Sequence, residues 1–244
     1  MQECRFKSVS ETGLVRKENQ DHVLCLANAG LFAVADGMGG GADGALASEI
    51  VCEELAKGAY SGEFPARLDE IAAAVAAANE RILAHAKKHG FRQMGSTVAV
   101  LAIDDFPHGR GAIGYVGDSR VYRIRDGAAA LLTRDHSIGA ELESEIGNAA
   151  AGRFSSRSNP LAHILTRVVG MKEKLVLEWR KIDVSPGDRF VVCSDGVHDV
   201  IETEELARLI AQEDLGLAAD ALGREVVKRG APDNYSFAIV EIGG

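Results

Sequence analysis

Four apolar runs of strand length in this chain each carry an aspartate at one end. Asp36 closes LFAVAD, Asp118 follows IGYVG, Asp195 closes RFVVCSD, and Asp233 stands just ahead of YSFAIVEI. Asp21, in NQD, precedes a weaker run in the same manner. An apolar run of this kind goes into a core, whereas a carboxylate at the core's edge stays ionised only with cationic or hydrogen-bonding partners. One aspartate in that setting is ordinary turn chemistry. Repeated at five run ends with few basic residues nearby in sequence, it points to strand ends that converge on a shared cation. Oxygen-only donors suit Mg²⁺ or Mn²⁺ and not zinc.

The elements around these runs give the fold class. Residues 4–12, 22–27 and 31–36 read as short strands, followed by a helix in GALASEIVCEELAKG with Gly58 as its C-cap and Asp43 as its N-cap. A second helix carries Leu68, Ile71, Val75, Ala78 and Ile82 on one face. Strands follow at 95–104, 112–117, 120–125 and 129–132, with Arg-Asp-Gly at 125–127 as a hairpin turn. The segment 137–160 is polar, rich in Ser, Asn and Ala, and has the composition of a surface flap. Strands return at 174–184 and 188–194. Two helices come next, one opened by Thr203 as N-cap with Glu204 and Glu205 in its first turn, and a strand ends the chain. Sequence-adjacent short strands with grouped helices predict an α+β fold, antiparallel sheets covered by helix layers. With no linker or repeat dividing its 244 residues, the chain reads as a single domain over 1–244.

Composition narrows the function. A net charge of −9 argues against a nucleic-acid partner, and an anionic substrate would need local positive charge from a few arginines or from metal ions. No window has the apolar length of a membrane span, and the charged start MQECRFKSVS does not resemble a signal peptide. The cysteines Cys4, Cys25, Cys52 and Cys193 form no CxxC pair, which favours a reducing cytoplasm over disulfides or zinc. The stretch after Asp36 has a rival reading, because Gly39, Gly41 and Gly44 satisfy GxGxxG after a strand and before a helix. Asp36 at its mouth would repel a pyrophosphate, no acidic strand end follows about twenty residues on, and helix is succeeded by helix, not by strand. No P-loop, cysteine-phosphatase or GxSxG signature is present.

Taken together, GLVRKENQD (13–21), VADGMGG (34–40), GSTVAVL (95–101), GYVGDSRVYRIRDG (114–127), LTRDHS (132–137), LTRVVG (165–170), GDRFVVCSDGVHD (187–199) and PDNYS (232–236) resemble, in order and spacing, the metal-dependent protein phosphatases (PPM, or type 2C) in their compact bacterial form. The resemblance covers nearly the whole chain. It implies an α/β/β/α sandwich with two central antiparallel sheets and a metal cluster at one end. It also implies a protein serine/threonine phosphatase that hydrolyses phosphoserine and phosphothreonine on proteins by metal-activated water.

By the same resemblance Asp36 bridges two core Mn²⁺ or Mg²⁺ ions and the Gly37 carbonyl is a further ligand. Asp195 and Asp233 complete the direct set. Asp21, with Gln20 beside it, contacts the metals through water, and Arg16 binds substrate phosphate. Asp118 and Asp195 would hold a third, weaker ion, with Asp199 at an acidic position nearby. Gln20 departs from the glutamate many members carry there, and Met38 is the residue usual in bacterial forms. His22, His136, His163 and His198 read as hydrogen-bonded structural histidines, and Asp188 as a turn residue. The expected partners are phosphoproteins made by a bacterial Ser/Thr kinase, met by a monomer. The alternative is a catalytically weak relative that serves as a binding or regulatory module; such a member should lose metal ligands, and this chain keeps each direct position.

Overall fold

The computed structural model describes residues 4–39, 42–91, 93–104, 109–146, 159–172 and 174–243. Its strands are β1 (Arg5–Glu11), β2 (Asp21–Leu26), β3 (Leu31–Gly39), β4 (Met94–Ser96), β5 (Val98–Ile103), β6 (Arg110–Val116), β7 (Arg120–Arg125), β8 (Ala128–Leu131), β9 (Glu178–Asp183), β10 (Arg189–Cys193) and β11 (Tyr235–Glu241). The helices are α1 (Ala42–Ala56), α2 (Phe64–His89), α3 (Ile138–Ile146), α4 (Asp195–His198), α5 (Thr203–Ile210) and α6 (Leu215–Lys228). The strands form two antiparallel sheets. One has the order β1-β11-β10-β7-β8; the other runs β2-β3-β5-β6-β9, with β4 pairing the far end of β3.

Side-chain alternation along the central strands accounts for the layers, since successive residues of a strand face opposite ways. In β3, Leu31, Ala33 and Ala35 pack under α1 and α2, with Val51, Leu55, Ile71, Val75 and Ile82. Phe32 and Val34 point the other way, into the space between the sheets, where they meet Leu101, Phe190, Val192 and Val240. In the second sheet Val191, Cys193, Phe237 and Ile239 face outward onto α5 and α6. The result is helix, sheet, sheet, helix: the four-layer α+β sandwich. Strands buried on both faces are nearly continuous apolar runs. Among the described residues no helix is long and apolar enough to cross a membrane.

Several boundaries differ from expectation for identifiable reasons. β3 does not stop at Asp36 but continues to Gly39, because β4 offers it partners: Gly37 opposite Ser96, Met38 opposite Gly95, Gly39 opposite Met94. The expected strand 95–104 is broken at Thr97, whose N–H leaves the ladder to bond the Asp36 carbonyl at 2.8 Å. The strand expected over 174–184 is confined to β9. Asp43 lies inside the first turn of α1, a favourable place for a carboxylate, and is not its cap. The cap of α5 is Glu202, with Thr203 the first helical residue. Gly58 does not cap α1, which ends at Ala56; it leaves room for the Tyr60 ring, whose hydroxyl donates to the Leu55 carbonyl. Arg-Asp-Gly does turn the β7–β8 hairpin, with φ of 52° at Asp126 and 75° at Gly127. Within the predicted flap, α3 forms at 138–146 and a short 3₁₀ turn at Pro160–His163, while 147–158 lies outside the described residues.

Gly37 is fixed by crowding. A Cβ there would lie 1.9 Å from the Gly44 carbonyl oxygen and 2.8 Å from that of Gln20. Both obstacles are backbone, so neither can rotate away. Gly37→Ala should cost about 3 kcal/mol or more, at the upper end of overpacking effects, and thermal melting of the variant checks it.

Candidate metal centre

Antiparallel pairing brings the five aspartates together. Asp21 begins β2 and stands directly opposite Asp36 on β3. Asp195 follows β10 and Asp233 precedes β11, and these strands are neighbours, joined at that end by Ser194 N–H donating to the Ser236 carbonyl at 3.0 Å. Asp118 lies in the turn that leads β6 of one sheet into β7 of the other. All five occupy the same end of the sandwich, where the two sheets meet.

Their electrostatics record the crowding. Burial raises the Asp36 carboxyl well above its ordinary range, and Asp21, Asp195, Asp118 and Asp233 push it further. Asp195 is likewise raised by burial, then by Asp118, Asp199, Asp233 and Asp21. Burial takes Asp21 and Asp118 each to about 6, against donated hydrogen bonds from Ser194 in the first case and the proximity of His198 in the second. Asp21 Oδ2 accepts from the Ser194 hydroxyl at 2.7 Å, but Oδ1 is buried with no hydrogen-bond partner among the described residues. An orphaned carboxylate oxygen beside mutually repelling carboxylates is costly unless a cation sits there. The residues therefore fit hard divalent cations. Among the described residues no three acidic, imidazole or thiol side chains form a closed ligand cage.

The scarcity of nearby cations expected from sequence needs correction at one position. Arg16 Nη2 donates to Asp233 Oδ2 at 2.6 Å, across 217 residues of sequence. Asp233 also accepts from the Asn234 N–H through Oδ1 at 2.8 Å. A cation at Asp233 would thus displace Arg16, freeing its guanidinium. Removing this half-exposed ion pair by Arg16→Ala should tighten metal binding up to about fivefold, the scale of an exposed pair. Calorimetric titration with Mn²⁺ reads this directly; weaker binding would contradict it.

Sequence reasoning passed over the residues that hold these carboxylates in place. Asp36 is gripped by its backbone: its N–H donates to Thr97 Oγ1 at 3.0 Å, and its carbonyl accepts from Thr97 N–H and, at 3.0 Å, from Ser96 Oγ. Thr97 Oγ1 also bonds Ser119 Oγ at 2.7 Å, tying Asp36 to the Asp118 turn. Asn234 accepts from Gln20 N–H and donates to the carbonyls of Thr12 and Glu18, which fastens the Arg16 loop beside Asp233. For Ser194 and Asn234 the available signal was adjacency, since they flank aspartates in CSD and PDN; Ser96 and Thr97, in GST, flank none. Gln20 is a junction: its N–H and carbonyl bond Asn234 and Gly37, and its amide packs against Gly44.

Three of the four histidines are held by hydrogen bonds within the fold. His136 accepts from Gly117 N–H at 3.1 Å and meets Glu178 at 3.0 Å; His22 bonds Ser48 at 2.9 Å; His198 Nε2 donates to the Asp118 carbonyl at 3.0 Å. Asp199 lies near both His198 (3.5 Å) and His163 (3.6 Å), which outweigh burial and lower its pKa. Asp188 is more than a turn residue, being buried and clasped by Arg125 through Nε and Nη2, each at 2.6 Å.

The model of the protein phosphatase 2C family matches residues 15–232. The chain belongs to the protein phosphatase 2C family. It is 31% identical over 246 aligned positions to the serine/threonine protein phosphatase PstP of Mycobacterium tuberculosis, covering 98% of this chain and 45% of PstP. This chain therefore spans less than half the length of that relative. Among solved structures, PppA, a regulatory component of T6SS in Pseudomonas aeruginosa, superposes with a TM-score of 0.88 at 34% identity over 98% of both chains. The PstP catalytic domain, solved with two manganese ions, superposes at 0.85 with 29% identity over 99% of both. The type 2C relationship agrees with the four-layer sandwich and with the cluster at its end.

Proposed function

We propose that this chain is a metal-dependent protein serine/threonine phosphatase, hydrolysing phosphoserine and phosphothreonine on proteins. The observation that carries the reading is the gathering of Asp21, Asp36, Asp118, Asp195 and Asp233 at one end of the sandwich, with Arg16 as the cation that answers Asp233. The family relationship, and the manganese ions named for the PstP catalytic domain, support the same reading. Asp36, Asp195, Asp233 and the Gly37 carbonyl would hold two Mn²⁺ or Mg²⁺ ions, with Asp21 and Gln20 acting through water. Asp118 and Asp195 would hold a third.

Bound divalent cations supply Lewis acidity, which makes water a nucleophile near neutral pH and offsets charge on phosphoryl oxygens. The chain's own residues do the rest. Thr97 and Ser96 fix the Asp36 backbone, and with it the direction from which its carboxylate acts. Ser194 holds Asp21, and Asn234 holds the Arg16 loop within reach. Arg16, released from Asp233, presents a planar fork to two phosphoryl oxygens, a contact that strengthens as charge develops there. Arg16→Ala should therefore raise KM for a phosphopeptide and lower kcat as well, by roughly ten- to a hundredfold in kcat/KM. An unchanged kcat/KM would return Arg16 to an ordinary surface arginine.

The partners in this reading are phosphoproteins produced by a bacterial Ser/Thr kinase, met in the cytoplasm by a monomer. The experiment that tests the function is hydrolysis of a phosphothreonine peptide with Mn²⁺, with Mg²⁺ and with EDTA. Release of phosphate with the metals and none with EDTA is expected. No release with either metal would favour a silent binding module.

A further inference from the structure

Beside the carboxylate cluster the molecule carries a second feature of opposite character. β3 runs past Asp36 to Met38, and Met38 lines a cavity of 370 Å³ together with Leu83, Phe91, Met94 and Met171. Three of the chain's four methionines thus line a single cavity. Methionine is flexible and polarisable, suited to apolar partners of varied shape. A second cavity of 210 Å³ adjoins it, sharing Val168 and Met171 and extending to Val176. Met171 is 43% and Val176 67% exposed, so the apolar lining faces solvent.

The rim of this groove is basic. Lys87 lines the first cavity, and Arg167, Lys172 and Lys174 line the second. Arg167 is engaged with Glu178 at 3.3 Å. Lys87, Lys172 and Lys174 are exposed and make no ion pair with another described residue. A glutamate at 173 separates two of these lysines in sequence, and the strip remains positive on a chain whose net charge is −9. Like charges gathered around an open apolar groove are complementary to an acidic segment.

We infer that this groove docks the substrate polypeptide beyond its phosphoresidue, taking an extended acidic segment with one large apolar side chain in the methionine-lined cavity. The inference rests on the phosphatase reading for the identity of the occupant. Continuity supports it, because Met38 is two residues from Asp36 on the same strand and pairs with Gly95 of β4. A phosphoprotein reaching Asp36 would pass its flanking residues over this surface. The apolar cavity supplies affinity, and the lysines select charge and speed encounter.

The test compares two phosphothreonine peptides of equal length, one flanked by leucine and glutamates and one by leucine and lysines, each made with the flank before or after the phosphothreonine. With Mn²⁺-loaded enzyme, Lys172→Glu/Lys174→Glu should raise KM for the acidic peptide about tenfold and lower it for the basic one. Turnover of both, and hydrolysis of p-nitrophenyl phosphate, should stay within about twofold, because the lysines touch neither the reacting phosphate nor its metal ligands. Equal KM values for the two peptides, in wild type and variant alike, would overturn the docking surface. If the wild type hydrolyses neither peptide nor p-nitrophenyl phosphate, the phosphatase reading fails, and fluorescence anisotropy of the labelled, unphosphorylated acidic peptide still decides the docking claim. Binding to wild type that is lost in the double variant sustains it; no binding, or equal binding, overturns it.

Discussion

Asp36→Asn is expected to remove nearly all phosphatase activity at saturating Mn²⁺ while making the metal-free protein more stable. The two effects share a cause. Asp36 is raised by burial and by four neighbouring aspartates, so its ionised form is costly in the folded chain. An amide keeps the shape and the backbone bonds to Thr97 and Ser96 but carries no charge. Activity should fall by roughly a thousandfold or more, because a residue proposed to hold the ions loses its negative charge. In EDTA the sign reverses. A carboxyl whose folded pKa lies above its ordinary 3.8 binds more protons folded than unfolded, so stability declines as pH rises through that interval. Asp21 and Asp118, each at about 6, place much of the decline between pH 4 and above 6. The melting temperature of metal-free wild type should drop across that range more than that of Asp36→Asn, leaving the variant the more stable at pH 8. Equal melting curves at pH 8 would mean that the cluster is not strained without metal.

Asp118→Asn should separate the ions. Asp118 sits in the β6–β7 turn, held through Ser119 to Thr97 and through its carbonyl to His198, and neither bond uses its carboxylate. The turn should therefore keep its shape in the variant. Asp36 and Asp233 belong to other strands and retain their positions. The two tight ions should remain and the weaker one should be lost, with turnover on phosphopeptides falling by about a hundredfold. Calorimetry counts the ions and a phosphopeptide assay reads the turnover. An unchanged number of ions together with unchanged turnover would leave Asp118 as a turn residue only.

The strands were legible because their burial is simple. β3 and β10 lie between two layers, and an unbroken apolar run ending in aspartate states both where the strand is and which end carries the chemistry. The α2 stripe was equally plain, with Ile71, Val75, Ala78 and Ile82 all buried in the order that helical spacing predicts. Other features depended on contacts distant in sequence. Nothing near Asp233 announces Arg16, 217 residues away, and nothing local makes Thr97 break a strand in order to hold Asp36. The continuation of β3 through Gly39 was hidden for a related reason: three glycine-rich residues read as a loop until β4 supplies their partners. The helix caps erred by one residue or so, where side-chain chemistry alone does not fix which carbonyl begins the ladder. The basic groove was invisible because Lys87, on α2, is far along the chain from the cluster of Arg167, Lys172 and Lys174 that completes it.

The central claim is that five converging aspartates form a divalent metal centre, and Mn²⁺ titration of metal-free protein tests it most directly. Calorimetry at pH 6, repeated in two buffers of different ionisation enthalpy, reads both the ions bound and the protons released. With Asp21 and Asp118 at about 6 and Asp36 raised well above its ordinary range, tight binding of two ions with net proton release is predicted, and Asp36→Asn should lose both. Absence of Mn²⁺ binding, or binding that persists undiminished in Asp36→Asn, would contradict the account.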